Sequence, residues 1–399
     1  AGWEALGRFE AFFLRFCHVV VVCADEGEGE RLARDLESLT GQRVPVLAPR
    51  SYIFHNAATV SRQWEHRRLA LMRAMAAGEV PLLVAAVEGL LQRTLPPEEL
   101  DRAWAELRTG GSYDLNQLAE TLTAAGYSRC DQVEGVGQFA LRGGILDVYS
   151  PGMEQPVRAE FFGDELDAMG LFDPATQRRT ENVERAVLLP AAEALPHLAP
   201  GGTAGLAARL EKLAAGAEKA GRHELAQTLR QDREALEQGR SFPATDRYLA
   251  LIYPQLATAA DYLPPDACVL FSESSRVGER AKTYQWQLEE DAKSLMERGE
   301  LDGSCAVLAR TFPELNVRLS DWPTAYLDSF TLSAYPVPPG CLLSVTAKQL
   351  PSFGASLETA VSDLDHYQRS GLGTLVLVSS EQRALNLQML LREQGLRAA

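Results

Sequence analysis

His18–Asp25 reads HVVVVCAD, in which the β-branched run Val19–Val22 puts apolar residues on both alternation phases. A strand with one wet face would alternate, so this one expects cover on both faces, as in a parallel sheet flanked by helices. Working outward, apolar residues at helical spacing predict a helix near Gly29–Thr40, closed by Gly41. Val44–Leu47 gives a second short strand and Val60–Ala77 a second helix, through Trp64, Leu69, Leu71, Met72 and Met75. Val80–Val87, VPLLVAAV, is a third buried strand, followed by a short helix and Pro96-Pro97. Strand alternating with helix predicts an α/β layer with a parallel sheet.

The texture changes near Thr109-Gly110-Gly111-Ser112. Asp114 can cap a helix running through Ala125, with Gly126 ending it. Short strands at hairpin spacing follow, at about 130–142, 144–149, 156–162, 164–171 and 185–189, separated by Gly143-Gly144, Pro151-Gly152 and Gly163-Asp164. Pro190–Pro200 is a linker, and Leu206–Gln238 reads as two helices meeting near Gly221. Ala267–Ser272 is another buried strand, with a helix over roughly 276–298. Cys305–Leu308 and Thr331–Leu332 are candidates for short strands. Past YPVPPG at 335–340 come a helix near 355–370, a strand at 374–380 and a helix at 381–394.

The chain of 399 residues is 46% hydrophobic and 23% charged, room for several domains with their own cores. No apolar run approaches the ~18 residues that suggest a membrane span. The opening AGWEALGRFEAFF mixes acids with apolar residues, unlike a secretory leader, so a cytoplasmic protein is expected. Cys17, Cys23, Cys130, Cys268, Cys305 and Cys341 are scattered, as are the six histidines, and predict neither disulfides nor a metal site. The net charge of −15 disfavours a phosphate backbone as partner.

A P-loop needs a lysine after its glycines, and the first lysine of this chain is Lys212. After HVVVVC comes ADEGEGERLA: Gly27 and Gly29 begin a dinucleotide fingerprint, but Arg31-Leu32 stand where its third glycine belongs. Asp25, Glu26, Glu28 and Glu30 would repel a pyrophosphate, whereas acids suit the start of a helix. No GxSxG elbow and no Ser/His/Asp order stands out. No catalytic residue, cofactor or metal is therefore expected in this chain.

Phe139–Gly152, FALRGGILDVYSPG, places an arginine before two glycines and an aspartate among Ile145, Leu146 and Val148. Side chains alternate along a strand. Phe139 and Leu141 share one face, and Gln138, Ala140 and Arg142 the other. Along the next segment Val157, Ala159 and Phe161 point one way, and Arg158, Glu160 and Phe162 the other. An aromatic flanked by arginine on a polar strand face has the composition of a protein-interface anchor. The competing expectation puts Phe162 under the helix at 114–125, with the arginines paired to Glu160 or Asp164.

GQFALRGGILDVYSPG, then PVRAEFFGDELDAMGLFDPATQR, then VLLPAAE at 187–193 resembles the second domain of the bacterial transcription-repair coupling factors, a domain related to one in the excision-repair protein UvrB. SRQWEHRRLALMRAM and PLLVAAVEGLLQRTLPP are similar to the α/β domain preceding it in that family. The resemblance implies a degenerate helicase-like parallel-sheet domain with an inserted, mostly antiparallel α+β domain, plus a partial C-terminal α/β domain. The implied boundaries are 1–108 and 196–335 for the two parts that pack together, 109–195 for the insert and 341–399 for the last piece. It implies that the insert binds UvrA through Arg142, Arg158 and Phe162, and that the chain is monomeric, free of membrane and not itself an enzyme. The family's ATP- and Mg-dependent motor, with its contacts to RNA polymerase and DNA, is expected beyond residue 399. Two other functions stay open: an ATP-dependent, DNA-binding helicase core like that of UvrB, and a purely structural or autoinhibitory clamp.

Overall fold

The computed structural model describes residues 18–55, 61–240, 242–344, 357–376 and 378–396. The chain divides into two compact units, one within residues 7–342 and one within residues 343–399.

In the larger unit β1 (His18–Cys23) leads into α1 (Glu26–Thr40), β2 (Val46–Leu47), α2 (Gln63–Ala76) and β3 (Leu82–Ala86). Then come α3 (Val87–Leu91), β4 (Arg93–Thr94), α4 (Pro97–Ala103) and β5 (Ala105–Arg108). Next are α5 (Leu115–Ala124), β6 (Ser128–Arg129), β7 (Gln138–Arg142), β8 (Ile145–Tyr149), β9 (Val157–Phe162), β10 (Glu165–Phe172), β11 (Arg179–Asn182) and β12 (Arg185–Leu188). The unit finishes with α6 (Gly202–Lys219), α7 (His223–Glu237), α8 (Leu249–Ile252), β13 (Ala257–Thr258), β14 (Ala267–Ser272), α9 (Ser274–Glu297), α10 (Phe312–Leu319) and β15 (Thr324–Leu327).

β1 is the middle strand of a parallel sheet ordered β15-β14-β1-β3-β2. Its β-branched run serves both faces, as the sequence requires. Val20 and Val22 enter the main core with Leu83, Ala85, Val269 and Phe271. Val21 and Cys23 pack with Val84, Leu270 and Ala33 of α1 on the other side. The main core continues without a break into α6, α7 and the segment 242–263. Buried ion pairs tie distant stretches together: Arg50 Nη1 and Nη2 donate to the Asp246 carboxylate at 2.7 and 3.0 Å, and Arg68 Nε to Glu193 at 3.2 Å.

α1 begins earlier than expected, at Glu26, because the Asp25 side chain accepts from the Glu28 backbone N–H and caps the helix. Two expected strands are corrected. Residues 303–305 form a short 3-10 turn, Ala306–Leu308 are irregular, and 331–332 are coil. The fifth strand is instead β15, whose TAYL sits at the sheet edge and is only partly buried, so it lacks the apolar run that marks β1.

The stretch 105–188 builds a second layer. β5 and β12 pair antiparallel, and a six-stranded sheet runs β11-β10-β9-β8-β7-β6, antiparallel except for β6 with β7. Asp114 caps α5 by accepting from the Asn116 and Gln117 N–H groups. Leu118 and Leu122 of α5 pack onto Phe139, Leu146, Val148, Val157, Ala159 and Leu166, one face of the sheet. Of the strand expected over about 130–142 only the end forms, as β7; residues 130–137 are a loop, and the short β6 precedes it at Ser128–Arg129. β11 was not legible: its RTEN is exposed throughout and carries no apolar alternation.

In the smaller unit α11 (Leu357–Arg369) and α12 (Glu381–Glu393) are the helices expected there. Residues 374–376 and 378–380 carry no strand, contrary to expectation, and Leu377 lies outside the described residues. Among the described residues, no helix is long and apolar enough to cross a membrane.

Candidate protein-docking face

Two-residue turns set the geometry. Arg142 pairs with Ile145 across Gly143-Gly144, and Phe162 pairs with Glu165 across Gly163-Asp164. Gly143 and Gly163 take φ of 60° and 63°, the left-handed conformation that such tight hairpins require. Gly144 is needed for a different reason: a Cβ there would lie 2.7 Å from the Phe161 carbonyl oxygen, which belongs to the neighbouring strand β9. β7 and β9 run the same way, so their ends, Arg142 and Phe162, arrive at the same edge of the sheet.

Register places Arg142, Ile145 and Glu160 in one row, with Ala140, Asp147 and Arg158 in the next. All lie on the face opposite α5, as does Phe162. The paired phenylalanines separate: Phe161 packs into the layer under α5 and meets Tyr113 edge-on at 6.3 Å, while Phe162 is 86% exposed. Of the two arrangements the sequence left open, the one that puts Phe162 beneath the helix is therefore not adopted.

The arginines depart from the competing expectation as well. They pair neither with Glu160 nor with Asp164, and neither guanidinium stands free. Asp147, fully buried, accepts from Arg142 Nη2 at 2.5 Å, from Arg158 Nε at 2.7 Å and from Arg158 Nη2 at 2.8 Å. The hydrogen bond to Asp147 raises the Arg158 pKa against the opposing effect of desolvation. Arg158 also lies over the Phe172 ring at 4.6 Å. Its side chain keeps 20% of its surface, against 50% for Arg142. So Phe162 and half of Arg142 face solvent, with Arg158 largely behind them. Beside this cluster Arg179 Nη1 donates to Glu160 at 3.1 Å. Asp147 is the residue that sequence reasoning missed. Its signal was an aspartate on the same alternation phase as the two arginines, but only the strand register reveals that it sits between them.

The crevice at the carboxyl ends of β1 and β3, where an α/β sheet usually receives a ligand, has a different make-up. Asp25 already occupies the N-terminus of α1. Glu28 is buried there, within 3.5 Å of Arg276, and Glu88 within 2.7 Å of Arg280, both arginines coming from α9. Burial pushes the Glu88 carboxyl up, against the lowering effect of Arg280. That crevice thus presents carboxylates and their internal arginine partners.

Residues 105–193 match the family model of the UvrB interaction domain, an interval that runs from β5 to just past β12 and contains Arg142, Asp147, Arg158 and Phe162. The chain is 28% identical over 380 residues to the transcription-repair-coupling factor of Bacillus subtilis (strain 168), covering 93% of this chain and 32% of that protein. It is 28% identical over 348 residues to the factor of the same name from Staphylococcus haemolyticus (strain JCSC1435), covering 84% of this chain and 29% of the relative. For the factor of Staphylococcus aureus (strain MRSA252) the identity is 24% over 344 residues, with the same coverage. The chain spans about a third of the length of the curated relatives it matches. The resemblance read from the sequence is upheld.

Proposed function

From this kinship with the transcription-repair-coupling factors we propose that residues 105–193 are a docking module for UvrA, and that the α/β part of the chain holds the module without performing chemistry of its own. The observation that carries the reading is Phe162. A large aromatic stands 86% exposed on a strand while its chain neighbour Phe161 is packed. An exposed aromatic of that kind, flanked by arginine, has the make-up of an interface hot spot. Arg142 adds a half-exposed guanidinium able to meet a carboxylate, and Arg158 braces it from behind.

In the whole protein the module would bring UvrA to a stalled RNA polymerase that an ATP-dependent translocase displaces. The resemblance assigns that motor, its ATP and Mg, and its contacts to polymerase and DNA to segments beyond residue 399. The acids at the start of α1 and the lack of any lysine before Lys212 favour a non-catalytic role for the chain itself.

Two measurements test the reading. Calorimetric titration of the chain into purified UvrA should give saturable binding that Phe162→Ala weakens, and wild-type affinity in that variant would remove the proposal's basis. An ATPase assay on the chain should show no turnover, with or without DNA. DNA-stimulated hydrolysis would favour the helicase-core alternative.

A further inference from the structure

Asp147 lies mid-strand on β8, opposite Ala140 of β7 and Arg158 of β9. It shares a face with the exposed Phe162, yet it is itself 0% exposed. Both carboxylate oxygens are engaged: Oδ1 by Arg158 Nε, and Oδ2 by Arg158 Nη2 and Arg142 Nη2. Arg158 is held from its far side as well. Its Nη1 donates to the Gln177 carbonyl oxygen and its Nη2 to Gln177 Oε1, each at 3.3 Å.

Gln177 is in turn fixed. It adopts φ of 59°, uncommon for a residue with a side chain, in a turn that Asp173 organises by accepting from the Ala175 and Thr176 N–H groups. Its Nε2 donates to the carbonyls of Val133 and Pro174. The result is a relay of fixed groups, Gln177 to Arg158 to Asp147 to Arg142, in which only the last member is half exposed. Among the described residues the Arg142 guanidinium makes no other side-chain hydrogen bond.

We infer that Asp147, braced by Arg158 and Gln177, is a positioning residue of the docking face that presents Arg142 to a carboxylate of the partner. This rests on the reading of that face as the UvrA-docking surface. Two arginines on strands that flank β8 repel each other, and a buried carboxylate between them cancels that repulsion and fixes both geometries. A long side chain ordered before binding has less rotamer freedom to lose on association. One Arg142 Nη is engaged with Asp147, and the exposed remainder of the fork faces outward for a partner's carboxylate. On this account Arg158 acts from behind Asp147 rather than by direct contact, and the FDPATQR segment serves to hold Arg158 in place.

A double-mutant cycle on the full chain, read by calorimetric titration into purified UvrA, tests this. Circular dichroism and a cooperative melt above the assay temperature establish that each variant is folded. Asp147→Asn should weaken binding about fivefold to tenfold, and Arg142→Ala by about tenfold. In the Arg142→Ala background Asp147→Asn should add less than about twofold, whereas in the Phe162→Ala background its effect should persist. Should Asp147→Asn fail to fold, Gln177→Gly replaces it in the same cycle, since glycine accepts the left-handed backbone and removes only the side-chain brace. It should weaken binding roughly threefold, and only while Arg142 is present. Wild-type affinity in a folded Asp147→Asn, or an equal loss with Arg142 absent, overturns the inference while leaving the docking face in place. Wild-type affinity in Phe162→Ala and Arg142→Ala together overturns the docking face, and the inference with it.

Discussion

Phe161 and Phe162 are chemically identical neighbours on β9 with opposite surroundings, so they give opposite predictions. Phe161→Ala removes packing beneath α5 and against Tyr113, and should cost about 2–4 kcal/mol in a denaturant titration. Phe162→Ala removes an 86%-exposed ring, so its melting temperature should match the wild type within about 1–2 °C. The same change should cost ~1–3 kcal/mol of UvrA binding, measured by calorimetry. Asp147→Ala leaves Arg158 largely buried without its counter-charge and should destabilise the chain by about 3–5 kcal/mol. Strand alternation made the faces of Arg142, Arg158 and Phe162 legible in the sequence. It could not tell that the two guanidinia share one carboxylate, because that depends on Asp147 standing opposite Arg158 across a strand boundary. An arginine on a polar face looks the same from the sequence whether it is free or clamped.

At the scale of elements, the turns were the most legible feature and the polar strands the least. Gly143-Gly144 and Gly163-Asp164 both make two-residue hairpins, which bring Arg142 and Phe162 to one edge. Gly144→Ala should therefore lower stability by roughly 1–3 kcal/mol, since its methyl group would press on the Phe161 carbonyl oxygen. It should also weaken UvrA binding by shifting the end of β9, which makes it a check on the edge as a unit. β1, β3 and β14 were legible because each is buried on both faces and reads as a continuous apolar run. β11 and β15 were not: one is fully exposed and the other is a half-buried edge, so pairing with a neighbour makes them strands without any hydrophobic pattern.

Over the whole molecule the parallel sheet joins distant parts of the chain. β14 pairs with β1 and β15 with β14, so a fragment ending at residue 195 would expose one side of β1 and the core shared with α6 and α7. Such a fragment should fail to melt cooperatively by circular dichroism, whereas the full chain should do so. His66 marks the junction with the inserted layer. Its Nε2 lies 2.9 Å from the Ala191 carbonyl oxygen, and burial holds its pKa down to about 4 against an ordinary value near 6.5. The imidazole is thus neutral in the folded chain and takes up a proton in the unfolded one. Its contribution is complete above about pH 6.5 and is lost as pH falls toward 4. Between pH 7.5 and pH 5 the wild type should lose up to about 2 kcal/mol more stability than His66→Gln. Glu65 and Glu88, whose pKa values burial raises, act in the opposite direction, and the comparison with the variant cancels them. The net charge of −15 argues for duplex DNA binding no tighter than ~10⁻⁴ M at physiological salt, which a fluorescence titration would check.

If the sheet face around Phe162 docks UvrA, side-by-side titration of the wild-type chain and Phe162→Ala into purified UvrA should separate the two. Saturable binding by the wild type is expected, with an affinity lower by ~1–3 kcal/mol in the variant and both proteins melting at the same temperature. Equal affinity in the two proteins, or no binding by a folded wild-type chain, would contradict that docking.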